Sequence, residues 1–418
     1  MRKKCFITGI AAIVCASILL LGCGKESEQT VQTENCFAKV SDIRIPEEVK
    51  IAGLGEATHG NAELQSLKKE VFQTLVENKQ CRIFALEGDF GGCVKVNDYI
   101  HGGEGTAKEA VKEIGFWLYT TAEMEEFVEW LRTYNETVSS EEQVSFYGFD
   151  MQRYDNNKEI LFDYLEKVDA ERGTELEEKL KEFTDATAYD LKKEVNISGT
   201  EVMTAFLKTM EENKERYISK SDEKSYKTAY ACGECILQNA TIQSGTVNYN
   251  MARDRYMAEK VETILDIEKG ERILISGHNG HIQKKSSNAS YTCMGEILES
   301  QYGDAYFTIG TDFVEGEVNV VNSEGNAVNV SISQENALKD RIKNLEGNSF
   351  YLEVEKAMEN AEMVDILNNP LKMISIGETF DEWQTKVAAM YSVKMVPAEN
   401  YDGIILLKTV TPIERSPK

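Results

Sequence analysis

The chain has 418 residues, with 71 Asp and Glu against 46 Lys and Arg, for a formal charge of -25. So acidic a balance argues against nucleic acid or an anionic membrane surface as the main partner, since both would repel it. The length accommodates one large domain with an insertion, or two domains.

At the N-terminus, Arg2, Lys3 and Lys4 precede an apolar run from Phe6 to Leu21. The run closes with Leu20-Leu21-Gly22-Cys23 and the polar Gly24-Lys25-Glu26. A basic start, an apolar stretch and a small residue before the cut describe an export signal over residues 1–22. The cysteine after that small residue resembles a bacterial lipobox. This implies lipidation at Cys23 and anchorage to the outer face of the bacterial cell membrane. An ordinary signal peptide or one uncleaved anchor is the alternative, although a spanning helix needs about 20 apolar residues and this run is marginal. Residues 23–36 read as a polar tether.

Four β-rich runs follow. Each is short, apolar and closed by glycine and polar residues, as buried parallel strands are. Val49 to Leu54 leads into Gly55-Glu56-Ala57-Thr58-His59-Gly60, and Arg82 to Leu86 leads into Glu87-Gly88-Asp89. Val144 to Gly148 leads into Phe149-Asp150, and Arg272 to Ser276 into Gly277-His278-Asn279-Gly280-His281. Helical spacing separates them: Leu64, Leu67, Val71 and Leu75, then Met124, Phe127, Val128 and Leu131, then Met251, Met257, Val261, Ile264 and Leu265. Strand and helix in alternation predict an α/β fold, a mainly parallel sheet flanked by helices on both faces. Residues 157–247 are charged and helix-favouring with no strand pattern. They read as an all-helical insertion into a core made of 37–156 and 248–418. Val318 to Val321, Val328 to Ile332 and Ile404 to Leu407 are later β-rich pieces.

Ligands of open parallel sheets bind outside the carboxyl ends of the strands, and three of the four histidines stand there. His59 suits a general base near neutral pH, with Glu56 three residues earlier to fix its orientation or tautomer. Glu87, His278 and His281 suit a second proton transfer, polarisation of a carbonyl, or stabilisation of an oxyanion. Arg253 reads as an anion or carbonyl contact, and Lys68 and Asp150 as further substrate-positioning residues. The competing structural reading makes Glu56 and Glu87 helix caps and ties the histidines into loop hydrogen bonds. The fourth histidine, His101, has no strand-end context.

Glu56-x-x-His59 and His278-x-x-His281, completed by Glu87, also form a nitrogen–oxygen ligand set for a metal. HxxH on a loop is less diagnostic than HExxH on a helix, and the expectation is chemistry without metal or cofactor. No G-x-S-x-G occurs, so the serine elbow of α/β-hydrolases is absent. Cys93, after Gly91-Gly92, reads as packing before it reads as a thiol nucleophile. With Cys5, Cys15 and Cys23 set aside, Cys36, Cys81, Cys93, Cys232, Cys235 and Cys293 remain. The lone CxxC at Cys232 and Cys235 is weak evidence for zinc or redox work.

Taken in order, Gly55-Glu56-Ala57-Thr58-His59-Gly60, Phe84-Ala85-Leu86-Glu87, Gly148-Phe149-Asp150, Arg253-Asp254 with Met257, and Gly277-His278-Asn279-Gly280-His281 resemble the erythromycin esterase family. The resemblance runs from Ile51 to about Thr411. It implies an α/β sheet with a helical insertion and metal-independent hydrolysis of a macrolide lactone or other small-molecule ester by water. His59 matches the general base of that family, and Glu56, Glu87, His278 and, less directly, His281 match its other functional positions. Some members carry arginine in the first helix where this chain has Lys68, a point charge in place of a planar fork. If that position holds a substrate oxygen, the substrate differs. A location outside the membrane suits interception of a macrolide antibiotic, and equally suits action on envelope glycans or lipids. A related sheet also serves a haem-binding lipoprotein family. The non-enzymatic rival is therefore an exported haem- or metal-binding protein, although carboxylates beside the histidines suit water activation better.

Overall fold

The computed structural model describes residues 33, 35–270 and 272–415. Cys23 and the export signal lie outside the described residues. The chain enters with a two-residue strand, β1 (Phe37–Ala38), and then alternates β2 (Ile51–Glu56), α1 (Ala62–Glu77), β3 (Ile83–Asp89) and α2 (Phe90–Ile100). Two more helices, α3 (Ala107–Glu113) and α4 (Ala122–Thr137), lead to β4 (Ser145–Asp150). Four helices follow without a strand: α5 (Asp155–Lys179), α6 (Lys193–Glu212), α7 (Lys214–Ile218) and α8 (Glu223–Gln243). Helix α9 (Tyr249–Ile267) returns to the sheet at β5 (Ile273–His278), after which come the short α10 (Asn279–Ile282) and α11 (Met294–Tyr302). The C-terminal part supplies β6 (Tyr306–Val321), β7 (Ala327–Ser333), β8 (Ser349–Glu353), β9 (Leu371–Ile374), β10 (Ser392–Met395) and β11 (Gly403–Val410). Among the described residues, no helix is long and apolar enough to cross a membrane.

The main sheet runs β1-β8-β11-β6-β2-β5-β3-β4, with β7 paired to β6, while β9 and β10 form a separate ribbon. Neighbours from β11 through β4 are parallel, as the sequence predicts for its four strands; β1, β7 and β8 pair antiparallel. The strand order decides the site. The connection through α1 leaves one place open between β2 and β3, and β5 fills it after the helical excursion. Glu56 therefore stands in register with His278, and Leu86, just before Glu87, with Ser276. Three strand ends far apart in sequence become neighbours about 4.8 Å apart.

Alternate residues on these strands feed two cores, as the two-residue period of a strand requires. Leu54, Phe84, Leu86, Phe146 and Leu274 pack with α1 and α4 through Leu67, Val71, Phe127 and Leu131. Ile83, Ala85, Tyr147, Ile273 and Ile275 face the opposite way, against Leu161, Leu165, Met203, Leu207, Ile236 and Val261. The four helices after β4 thus cover one face of the sheet. Cys232 and Cys235 lie fully inside that cover, and burial pushes the Cys235 thiol up to about 12. They are packing residues there. Met251, expected on the inner face of α9, is exposed instead, next to Ala252, where the buried stripe that runs on through Asp254 and Met257 begins.

Gly148 shows how tightly β3 and β4 meet. A Cβ there would stand 2.4 Å from the carbonyl oxygen of Gly88 and 2.5 Å from that of Asp89, both backbone atoms. The register between these strands shifts at this point, between Leu86 and Asp89. Gly148→Ala is expected to destabilise the fold by about 1–3 kcal/mol through overpacking, measured as a lower urea midpoint.

Candidate active site

Glu56 ends β2 with its side chain buried, and its Oε2 lies 3.0 Å from Lys68 Nζ and 3.6 Å from His59 Nδ1. Burial alone would raise the Glu56 pKa, but Lys68 and His59 outweigh it and the carboxylate is held below its usual range. Burial would likewise lower His59, but Glu56, with Glu87 behind it, raises it above 6.5. Lys68 also donates to Gln65 Oε1 at 2.8 Å, and Gln65 Nε2 donates to the His59 carbonyl at 3.0 Å. The first turns of α1 therefore hold both the acid and the loop that carries the imidazole.

Glu87 accepts at both oxygens. The His278 backbone N–H lies 2.7 Å from Oε2, and Arg253 Nη2 lies 2.8 Å from Oε1. Burial opposes its charge, but His281 and Arg253 prevail and hold it far below the normal carboxylate range. Arg253, reaching in from α9, also donates to Asp150 Oδ2 at 2.6 Å and to His281 Nε2 at 3.0 Å. Arginine has donors only, so the ring that accepts from it is neutral at Nε2 and carries its proton on Nδ1. That Nδ1 lies 2.7 Å from Asp254 Oδ1, which also accepts from the Met294 N–H, while Asp254 Oδ2 accepts from the Tyr291 hydroxyl. Burial opposes a charge on His281, but Asp254 and Glu87 together raise its pKa, and a proton on Nε2 would face Glu87 Oε1 at 3.4 Å.

His278 differs from both. Its Nδ1 accepts the Gly280 N–H at 3.1 Å, which leaves the proton on Nε2. That Nε2 is buried and has no partner. Burial, with His59 and His281 nearby, pushes its pKa down to about 4, so the ring is a neutral donor at ordinary pH. Its centroid lies 5.5 Å from that of His59 and 6.4 Å from that of His281. The arrangement brings together an imidazole made more basic by an acid, a neutral imidazole N–H without a partner, and a guanidinium balanced by two carboxylates.

All five residues expected to do chemistry thus meet in one place, and the three expected to position substrate stand beside them, each with partners inside the cluster. Lys68 is fully buried with its ammonium on Glu56 and Gln65, where it helps to set the charge of Glu56. Asp150, 1 % exposed, is occupied by Arg253, the Met151 N–H and Gln152. Of the three, Arg253 alone retains some exposure, at 14 % of its side chain. The capping alternative holds for other residues: Asp89 caps α2 through the Gly92 N–H at 2.7 Å, and His278 Nδ1 caps α10. Glu56 and Glu87 cap nothing. His101 is the exposed C-cap of α2 and Cys93 a fully buried thiol whose pKa burial drives well above 9.0.

The five-residue metal set is not assembled. Among the described residues no group of three or more His, Cys, Asp or Glu could hold an ion. Both ring nitrogens of His281 and one of His278 are already engaged, and Glu87 is bound at both oxygens. Asp254 joins this centre through His281, and Tyr119 lies beside it with its ring centroid 6.2 Å from that of His59; the sequence singled out neither as a site residue. Asp254 had a signal in its adjacency to Arg253. Tyr119 had none, because it follows no strand.

The family model described as Erythromycin esterase matches residues 76–410. That span holds Glu87, Asp150, Arg253, His278 and His281 and begins after Glu56 and His59. "Erythromycin esterase type II" of Escherichia coli is 26% identical over 297 residues, covering 64% of this chain and 70% of its own. A solved Bacillus cereus protein superposes with a TM-score of 0.80 at 21% identity, over 94% of this chain and 99% of that one. An erythromycin esterase mutant, solved in its open conformation, superposes with a TM-score of 0.63 at 15% identity, over 89% and 92% of the two chains. At such identities the structures speak for the fold, and the family match over most of the chain speaks for descent. The chain belongs to the erythromycin esterase family of hydrolases.

Proposed function

We propose that the protein cleaves a small-molecule ester or macrolactone with water activated by His59. The observation that carries this reading is the pairing of His59, its Nδ1 turned to Glu56, with the partnerless Nε2–H of His278 one ring away. Neutral His59 takes a proton from water as the water oxygen bonds to the carbonyl carbon, and Glu56 holds the imidazolium charge that forms. The carbonyl oxygen becomes an oxyanion and accepts from His278 Nε2–H, a donor fixed in advance of the reaction. Collapse breaks the carbon–oxygen bond of the alcohol, which leaves with the proton from His59. Acid and alcohol are the products, or the opened hydroxy acid from a lactone.

The name of the Escherichia coli relative supports a macrolactone as the first substrate to try. Location belongs to the same proposal: lipidation at Cys23 would hold the enzyme outside the membrane, where opening a macrolide would confer resistance. The test is a turnover panel of macrolides and p-nitrophenyl esters followed by mass spectrometry. A lactone product heavier by one water, with no added metal or cofactor, is expected. A panel left intact, together with a haem absorbance band that disappears in His59→Ala, would favour a binding protein instead.

A further inference from the structure

The hydrolysis proposed above leaves its oxyanion with one protein donor, and the structure offers a second. Tyr119 closes a one-turn 3-10 helix, Trp117–Tyr119, between α3 and α4. It is fully buried, and its hydroxyl has no hydrogen-bond partner. Its ring meets His59 edge-on, with centroids 6.2 Å apart and planes at 78°, and Lys68 Nζ lies 5.6 Å from the ring centroid. Gln65 ties this turn to the His59 loop by donating to the Leu118 carbonyl at 3.4 Å and to the His59 carbonyl at 3.0 Å. The tyrosine is thus held on the same side chain that holds the base.

The buried hydroxyls of Tyr154, Tyr351 and Tyr401 lack a partner too, so what sets Tyr119 apart is its place against His59 and Lys68. The charges that act on its hydroxyl are those of the active centre: Glu56, Glu87, Asp150 and Arg253. Burial and the three carboxylates drive the phenol well above 10, so it keeps its proton at working pH and donates a hydrogen bond without acting as an acid. An oxygen that gains negative charge in the reaction would satisfy it, and would do so most strongly in the transition state.

We propose that Tyr119 is a catalytic residue whose hydroxyl donates to the substrate carbonyl oxygen, forming with His278 Nε2–H a two-donor oxyanion hole beside His59. This rests on the ester-hydrolysis reading, and the experiment separates the two. Wild type, Tyr119→Phe and His59→Ala are assayed on p-nitrophenyl butyrate and erythromycin, with thermal unfolding recorded for each. Tyr119→Phe is expected to lose about 10²–10³-fold in kcat, the usual effect of removing one such donor. Its KM and the acid limb of its pH profile should stay as in wild type, and its Tm should be equal or higher because an unpaired polar atom has gone. Wild-type kcat with a lowered Tm in Tyr119→Phe would make the hydroxyl structural and overturn the proposal. Wild-type kcat in His59→Ala would overturn the water-activation reading and leave the Tyr119 comparison readable by itself. Neither substrate being cleaved by wild type would overturn both.

Discussion

His59→Ala is expected to lower kcat/KM by about 10²–10⁴-fold, the usual contribution of a positioned general base, with an unfolding midpoint close to wild type. The stability half of this expectation comes from what the side chain does not hold. Its Nδ1 faces Glu56 at 3.6 Å without making a hydrogen bond, and Glu56 keeps Lys68 at 3.0 Å when the ring is removed. The loop itself is fastened at the His59 carbonyl by Gln65, a contact that alanine preserves. Steady-state kinetics and urea unfolding on the same preparation check both halves.

Arg253→Met should be the most destabilising of the site substitutions. One guanidinium serves Glu87, Asp150 and His281, and both carboxylates are more than nine-tenths buried. Removing one partner of a buried ion pair costs about 3–5 kcal/mol, because the remaining charge is left uncompensated. Methionine keeps much of the stem and isolates that effect, while lysine would not rescue it, having no planar fork for three partners. The penalty has a pH signature. Glu87 has a depressed pKa, so its stabilising interaction is fully present above its ordinary value of 4.5 and is lost as pH falls through the folded-state value. The difference in stability between wild type and Arg253→Met should therefore narrow in strong acid, as read by unfolding at a series of pH values.

The four strand ends were legible because buried parallel strands are short, apolar and closed by glycine, whatever their order. The order itself was not. That β5 lies between β2 and β3 is fixed by packing against α9 and the four helices before it, which no local pattern records. The long strand β6 was visible only in its outer half, where burial alternates. Its inner half, from Tyr306 to Phe313, is wholly buried and carries Thr308, Thr311 and Asp312, which hide a strand from any hydropathy pattern. Strands β8, β9 and β10 are four or five residues long and equally silent.

In the site, residue type and strand-end position were enough to nominate Glu56, His59, Glu87, His278 and His281, and geometry supplied their differences. Three histidines alike in sequence become a base raised by Glu56, a neutral donor tied at Nδ1 by Gly280, and a ring held between Arg253 and Asp254. Lys68 has a setting that its helix pattern does not show. Lysine on an amphipathic helix ordinarily lies in solvent, and only the buried Glu56 opposite draws it in. Tyr119 lies in the aromatic stretch Phe116-Trp117-Leu118-Tyr119, indistinguishable by sequence from ordinary core.

The pH dependence of kcat/KM in wild type and Glu56→Gln tests the assignment of His59 as the base most directly. His59 acts when neutral, and Glu56 raises its pKa against burial, so wild-type activity should climb with pH through a midpoint above 6.5. Glutamine removes the charge that raises it, and Lys68, then unopposed, pushes the same way. The midpoint should move to lower pH and the plateau should fall. An acid limb with the same midpoint in both proteins, or one that persists at full rate in His59→Ala, would contradict the account.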